Sequence, residues 1–346
     1  LQTTGQQPDK GGAAAQRKLT MTGAHDDSQK FCQTMMRLTT RGLAPRVLAR
    51  PPAHIAVRAL ATAAKEPKVP PIEKESLDDG VLIIRFNNEK KLNAWTMPLL
   101  KSLFETLSEA AASDDVKGVV ITGNGKYYSA GVDLSSMIQP MAPSKLVKQI
   151  RNQNEKCFGT FLNFPKPIVA AVNGPAIGAA VTSTVLMDAI VASESASFSL
   201  PFAKLGVPPE GCSSVTWPER LGDEKAQRML GPENWIPTGA EAKAAGLVDE
   251  LVKGDDVVEK AVAVVRERIA AGGGRRFDAA ESARLNKVNA EESATLANAF
   301  VSNDFLSAMY DFNVKRGKSQ LKTIFWMAKT TLPLWQPAKI GPSYAD

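Results

Sequence analysis

Three segments of the 346-residue chain hold residues whose types and spacing suit proton transfer beside a carbonyl group. The first, Gly125-Lys126-Tyr127-Tyr128-Ser129-Ala130-Gly131-Val132-Asp133-Leu134, follows a short apolar stretch. The second, Asn173-Gly174-Pro175-Ala176-Ile177-Gly178-Ala179-Ala180, turns out of another. The third is Leu205-Gly206-Val207-Pro208-Pro209-Glu210-Gly211-Cys212-Ser213-Ser214. Loops of small residues let a ligand approach the main chain closely and make its N–H groups donors. A helix that starts at a glycine-rich turn adds unpaired N–H groups and a positive dipole end. Two such donors converging on one oxygen stabilise negative charge there, and a nearby carboxylate then removes the adjacent proton. Taken singly, either loop reads as well as close packing, and Glu210 as an ordinary acid at the start of a helix through Ser213–Trp217. Gly125-Lys126 is no phosphate loop, because it lacks the partner glycine five residues earlier and the following Ser/Thr.

Other catalytic chemistries are narrowed by composition. Both histidines, His25 and His54, lie in an N-terminal segment expected to be removed, so the mature domain has none. That excludes Ser-His-Asp and Cys-His nucleophiles and His-ligated metals. Cys32, Cys157 and Cys212 show no CxxC spacing, which argues against a disulfide framework or zinc ribbon. Of 42 basic and 36 acidic residues, ten basic and three acidic fall in 1–65, leaving 32 against 33 beyond it. A near-neutral globular part gives no ground for nucleic-acid binding. Between Asp27 and Glu66 there is no acid, while Arg37, Arg41, Arg46, Arg50 and Arg58 recur among small and hydroxyl residues. This profile predicts a transit peptide and location in the mitochondrial matrix, a disordered basic tail being the alternative. The chain begins at Leu1, Met35–Met36 offers a start, and Ala61 to Ala64 a place for cleavage. Residues 167–187 are uncharged over a spanning length, but Asn173-Gly174-Pro175 splits them into strand and helix, so no membrane span is expected.

The elements that must position these loops follow from periodicity. Lys65 to Glu75 reads as a leading linker. Val81–Phe86, Gly118–Thr122, Ile168–Val172 and Ala189–Ala192 read as strands, the last three short, apolar and buried. Leu99, Leu100, Leu103, Phe104 and Leu107 mark one face of a helix after Asn93. Further helices are expected near 143–163, 177–187 and 223–230. The alternation predicts an α/β domain with largely parallel strands. Beyond about 255 only helices are expected, near 256–271, 289–300 and 303–316. The chain thus divides into an N-terminal segment 1–65, a core 66–255, a helical C-terminal subdomain 256–318 and a tail 319–346. Trp326 and Trp335 on that tail suggest docking to a protein partner or strapping onto the chain's own domain.

In this order and spacing the three segments closely resemble the enoyl-CoA hydratase/isomerase (crotonase) superfamily, over about 75–318. The resemblance implies a crotonase-like (ββα-superhelix) core with a helical C-terminal subdomain, and an acyl-CoA substrate whose thioester enolate is held by two main-chain N–H groups. By position these are Val132 and Ala179. Ser129, Ala130, Gly131, Asp133, Leu134 and Gly178 around them, with Phe202 near the base, are the implied substrate-binding residues. Lys91, in Lys90-Lys91-Leu92-Asn93-Ala94, matches a family position near the CoA nucleotide, though it reads nearly as well as a solvated surface lysine. The two glutamates of the family's hydratases would fall on Thr182 and Phe202, neither able to exchange a proton usefully. Glu210 instead resembles the base in the P-E-G-C-S-S segment of the Δ3,Δ2-enoyl-CoA isomerases. No metal or separate cofactor is implied, since CoA is part of the substrate. Trimers or hexamers are common among relatives. Thioester hydrolysis or decarboxylation on the same oxyanion hole, or a non-catalytic or dual role in a mitochondrial assembly, remain the alternatives.

Overall fold

Strands buried on both sides need apolar residues at every position, and the central strands of this protein have them. The computed structural model describes residues 69–134, 141–254 and 256–343. These belong to one compact unit, Glu66–Asp346. The Arg-rich segment, both histidines and Cys32 lie outside the described residues.

The strands are β1 (Ile72–Ser76), β2 (Val81–Phe86), β3 (Gly118–Gly123), β4 (Ile168–Val172), β5 (Ala176–Ile177), β6 (Ala189–Ser193), β7 (Phe198–Ser199) and β8 (Glu250–Val252). Among the described residues, one sheet has the order β1-β2-β3-β4-β6-β8. Only β1 runs antiparallel to its neighbour; the other pairings are parallel. β5 and β7 form a separate two-stranded parallel sheet. Successive side chains point to opposite faces. Leu82, Ile84, Phe86, Val119 and Ile121 enter the main core. Val81, Ile83, Val120, Val169 and Val191 pack on the other face.

The helices, in order, are α1 (Met97–Ala112), α2 (Pro143–Leu162), α3 (Ala179–Thr182), α4 (Phe202–Leu205), α5 (Ser213–Leu221), α6 (Asp223–Leu230), α7 (Gly239–Ala245), α8 (Val257–Ala270), α9 (Ala279–Ala299), α10 (Asn303–Lys315) and α11 (Ser319–Trp335). Thr96 caps α1, its side chain accepting from Leu99 N–H, and the helix buries Leu99, Leu100, Leu103 and Leu107 as their spacing predicts. α2 buries Val147, Phe158 and Phe161, and α8 covers the second sheet face through Val257, Ala261, Val262 and Val265. The 177–187 stretch resolves into α3 and a 3-10 turn over Ser183–Leu186.

The structure departs from the sequence reading in four places. Part of the supposed leading linker is β1, an edge strand with one buried residue, Ile72. A charged IEKES run carries little apolar signal, which is how exposed edges avoid unwanted pairing. β8 is three residues long and half-buried, too short for periodicity. α9 starts ten residues early, at Ala279, capped by Asp278, whose carboxylate accepts from Glu281 N–H at 2.8 Å. Finally, 319–335 is a helix, α11, with Phe325 and Leu332 buried against α10.

A buried ion pair joins distant parts of this architecture. Arg275 Nε donates to Asp188 Oδ1 at 2.9 Å, with side-chain exposures of 8% and 0%. Arg275 also donates to the carbonyls of Phe161, Phe164 and Leu186, and Asp188 Oδ2 accepts from Ile168 N–H at 2.8 Å.

Candidate active site

The first loop is shaped by two asparagines. Buried Asn93 donates from Nδ2 to the carbonyls of Asn124 and Tyr127, both at 2.8 Å, while its Oδ1 accepts from Asn88 N–H. Asn173 accepts from Gly123 N–H at 3.1 Å and donates to Gly125 O at 2.9 Å. Ser129 is fully buried. Its hydroxyl donates to Asn93 O at 2.8 Å and accepts from Gly131 N–H at 3.1 Å. Its polar atom therefore serves the loop. Ala130 N–H donates to Leu92 O.

The two glycine turns then meet. Gly131 has φ +76°, and a Cβ there would lie 2.4 Å from Ile177 O, so only glycine allows the approach. Gly178 has φ +60° and opens α3. Ser129 and Ala176 form a parallel bridge between the loops, and Ile177 N–H donates to Ser129 O at 3.0 Å. Trp95 N–H donates to Gly131 O and Asp133 N–H to Trp95 O. The residue between, Val132, bridges to Trp95 through these bonds of its neighbours and does not use its own N–H. Among the described residues, Val132 N–H and Ala179 N–H have no hydrogen-bond acceptor. The two donors expected from the resemblance are thus both unpaired, each one residue beyond a glycine of the contact.

Glu210 comes from the third segment. It is 8% exposed, and burial pushes its carboxyl up to about 7. A hydrogen bond from Asn154 opposes that rise, and the nearby charge of Glu292 adds to it. Asn154 Nδ2 donates to Glu210 Oε2 at 2.5 Å, and Ser293 Oγ donates to Asn154 Oδ1 at 2.9 Å, which fixes the amide's orientation. Glu210 Oε1 has no hydrogen-bond partner among the described residues. The next two residues turn sharply: Gly211 has φ +67° and Cys212 φ 62°. A Cβ at Gly211 would lie 2.6 Å from the Phe158 ring. α5 has no side-chain cap of its own. Buried Glu292 of α9 supplies it, accepting from Cys212 N–H at 2.7 Å and Ser214 N–H at 2.9 Å.

α2 connects the two halves. Asn154 and Phe158 touch the Glu210 turn, and Phe161 stacks on Trp95 with ring centroids 6.2 Å apart. Residues 154, 158 and 161 share one helix face, and Trp95 is bonded to the 131–133 backbone. α10 and α11 close another side. Their cluster of Phe305, Leu306, Met309, Phe325 and Leu332 packs against Leu134 from the first segment and Leu205 and Val207 from the third.

The remaining expected residues divide clearly. Lys91 Nζ pairs with Asp133 Oδ2 at 3.3 Å, near the surface. Phe202 is buried in the main core. Thr182 Oγ1 donates to Ala179 O at 3.3 Å within its own helix. Two thiols are free: Cys157 and Cys212 are buried, and burial raises both above the usual thiol range. Asn154, Ser293 and Glu292 were not singled out in the sequence. The available signal was a polar residue inside an apolar stripe, as at Asn154 between Val147, Phe158 and Phe161.

This fold and site define a crotonase: the chain belongs to the enoyl-CoA hydratase/isomerase family, whose model matches residues 76–316. Within it the resemblance is of the isomerase type. The chain is 35% identical over 263 residues to enoyl-CoA delta isomerase 2 of Homo sapiens, covering 70% of this chain and 63% of that protein. It is 32% identical over 252 residues to "enoyl-CoA delta isomerase 3, peroxisomal" of Mus musculus, covering 70% and 78%. The match thus spans less than two thirds of the human relative's length. Among solved structures, an enoyl-CoA hydratase/isomerase from Pseudoalteromonas atlantica T6c superposes with a TM-score of 0.60 at 25% identity, covering 71% of this chain and 97% of that one.

Proposed function

We propose that the protein is a Δ3,Δ2-enoyl-CoA isomerase, moving the double bond of a 3-enoyl-CoA to the conjugated 2-position in unsaturated fatty acid β-oxidation. One observation carries this reading. Of the buried acids among the described residues, Asp188 is locked to Arg275 and Glu292 to two N–H groups, leaving only Glu210 with an uncommitted oxygen. A single carboxylate suits proton shuttling. Water addition in this family uses two, and here those positions hold Thr182 and core-bound Phe202.

In this mechanism Glu210 Oε1 removes a C2 proton, and the electron pair moves into the thioester, placing charge on its oxygen. Val132 and Ala179 N–H groups stabilise that oxygen. The double bond forms between C2 and C3, and Glu210 returns the proton at C4. A carboxyl near pH 7 suits both halves, since a base matched to working pH gives and takes a proton with little penalty. No further cofactor enters the step. Lys91 is assigned to the CoA nucleotide, and the Arg-rich segment to mitochondrial import; a fusion of residues 35–65 to a fluorescent reporter tests the latter by where it accumulates.

The decisive experiment mixes the purified chain with a 3-enoyl-CoA and follows the conjugated thioester by ultraviolet absorbance. Glu210→Gln is expected to abolish turnover while acyl-CoA binding, measured by calorimetry, persists. Turnover of the variant at the wild-type rate rules out Glu210 as the base. An inert wild type that still binds acyl-CoA rules out the isomerase assignment.

A further inference from the structure

α2 is anchored in two places. Cys157, Phe158, Phe161 and Leu162, toward its end, belong to the main core. Val147, in its first half, lies in a separate cluster with Ala297 of α9 and Val301 just beyond it. Asn154, whose amide is bonded to Glu210, stands between the two anchors. The second anchor also includes Trp335 and Ile340, which come from the far end of the chain.

After α11 the sequence runs Gln336-Pro337-Ala338-Lys339-Ile340-Gly341-Pro342-Ser343. Its two prolines have no N–H to satisfy and leave the free chain less freedom to lose, so ordering this piece costs less. Asn298 of α9 donates from Nδ2 to Ile340 O at 2.9 Å, and its Oδ1 accepts from Ile340 N–H at 3.0 Å. One side-chain amide thus satisfies both backbone groups of one residue, as a neighbouring strand would. Arg151 of α2, 6% exposed, donates from Nη1 to Gly341 O at 3.2 Å. Ser343 Oγ donates to Glu155 Oε1 at 2.6 Å. On α2 these last two partners bracket Asn154, Arg151 lying before it and Glu155 directly after. A helix end frays unless packing holds it, and fraying that reaches Asn154 takes its amide off Glu210.

We propose that residues 336–343 are a positioning strap for the base: by fixing the first half of α2 they keep the Asn154 amide on Glu210, and Asn298 is the residue that holds the strap down. This rests on Glu210 as the base and adds that the end of the chain, remote in sequence from all three site segments, governs how well that base is set.

Asn298→Ala with Ser343→Ala in the full chain tests it through two readouts. Hydrogen exchange needs no substrate. Amides of residues 147–156 are expected to exchange at least about tenfold faster in the double variant, while those of 157–162 keep the wild-type rate. Kinetics then brings in Asn154. The rising limb of kcat/KM against pH is expected to move up by about half a pH unit, because the amide that favours the ionised carboxyl is less often in place. In an Asn154→Ala background the same substitutions should move the limb no further, since no amide remains to position. A segment that only stabilises the fold would lower the rate equally in both backgrounds and leave the limb where it was. That result overturns the proposal, as does unchanged exchange over 147–156. Should the double variant melt early, Ser343→Ala alone keeps the Asn298 pair and is expected to shift both readouts the same way by less. Wild-type turnover by Glu210→Gln is a different failure, that of the base, whereas the exchange result speaks only to the strap.

Discussion

Glu210 titrates in a pH range where its state can be read from rates. A carboxyl pushed up to about 7 must ionise before it can act as a base. The profile of kcat/KM is therefore expected to rise with pH and level off above about 7. Asn154 holds that value down, so Asn154→Ala should move the rising limb to higher pH as well as lower the plateau. A role confined to packing would lower the plateau and leave the limb in place. The same shift affects stability. Because the folded carboxyl lies above its ordinary value of 4.5, its favourable contribution is complete below 4.5 and lost as pH rises through about 7. Glu210→Gln, which cannot ionise, should then equal wild type in urea at pH 4.5 and exceed it at pH 8. The gain expected is on the order of 1–3 kcal/mol.

At the scale of elements, the site depends on pieces meeting closely. Gly131→Ala would set a methyl group 2.4 Å from Ile177 O, parting the loops that carry the two free N–H groups. Turnover is expected to fall by about 100-fold or more, with the urea midpoint showing whether the fold persists. Glu292→Ala leaves Cys212 and Ser214 N–H groups buried without an acceptor. That should cost about 1–3 kcal/mol in urea unfolding and, by removing a charge that raises Glu210, shift its rate limb to lower pH. These contacts also mark what the sequence could disclose. The loops were legible because their function is written in consecutive residues, glycines included. The sheet's inner strands were legible because burial on both faces demands apolar runs. Asn154 lies 56 residues from Glu210, and Glu292 lies 80 from Cys212. On a helix an isolated Asn or Glu reads as solvent-facing until the fold brings its partner. β1 was hidden for the opposite reason, its exposed side chains being charged.

For the whole molecule, Asp188 and Arg275 tie the end of α2, the turn before β6 and the 271–277 connection together. Removing one partner strands the other away from water. Asp188→Ala is expected to cost about 3–5 kcal/mol in equilibrium unfolding, and the paired change to Asn and Met less than the single one. The C-terminal helices are held on the same core, since α9 caps α5 and α10–α11 pack beside Leu134. Loss of stability at this lock should therefore be felt at the carboxylate.

Cys157 on α2, close enough to feel the charge of Glu210, and Cys212, two residues beyond Glu210 in the chain, are 7% and 0% exposed. Held neutral and out of reach, neither thiol is a ready nucleophile in the closed fold. They form an internal clock. An exchange reagent in excess can modify them only when the turn around Glu210 breathes open, so the labelling rate counts those openings. Occupancy of the site by an acyl-CoA should slow that clock, and Glu292→Ala should speed it, without any need to follow the reaction itself.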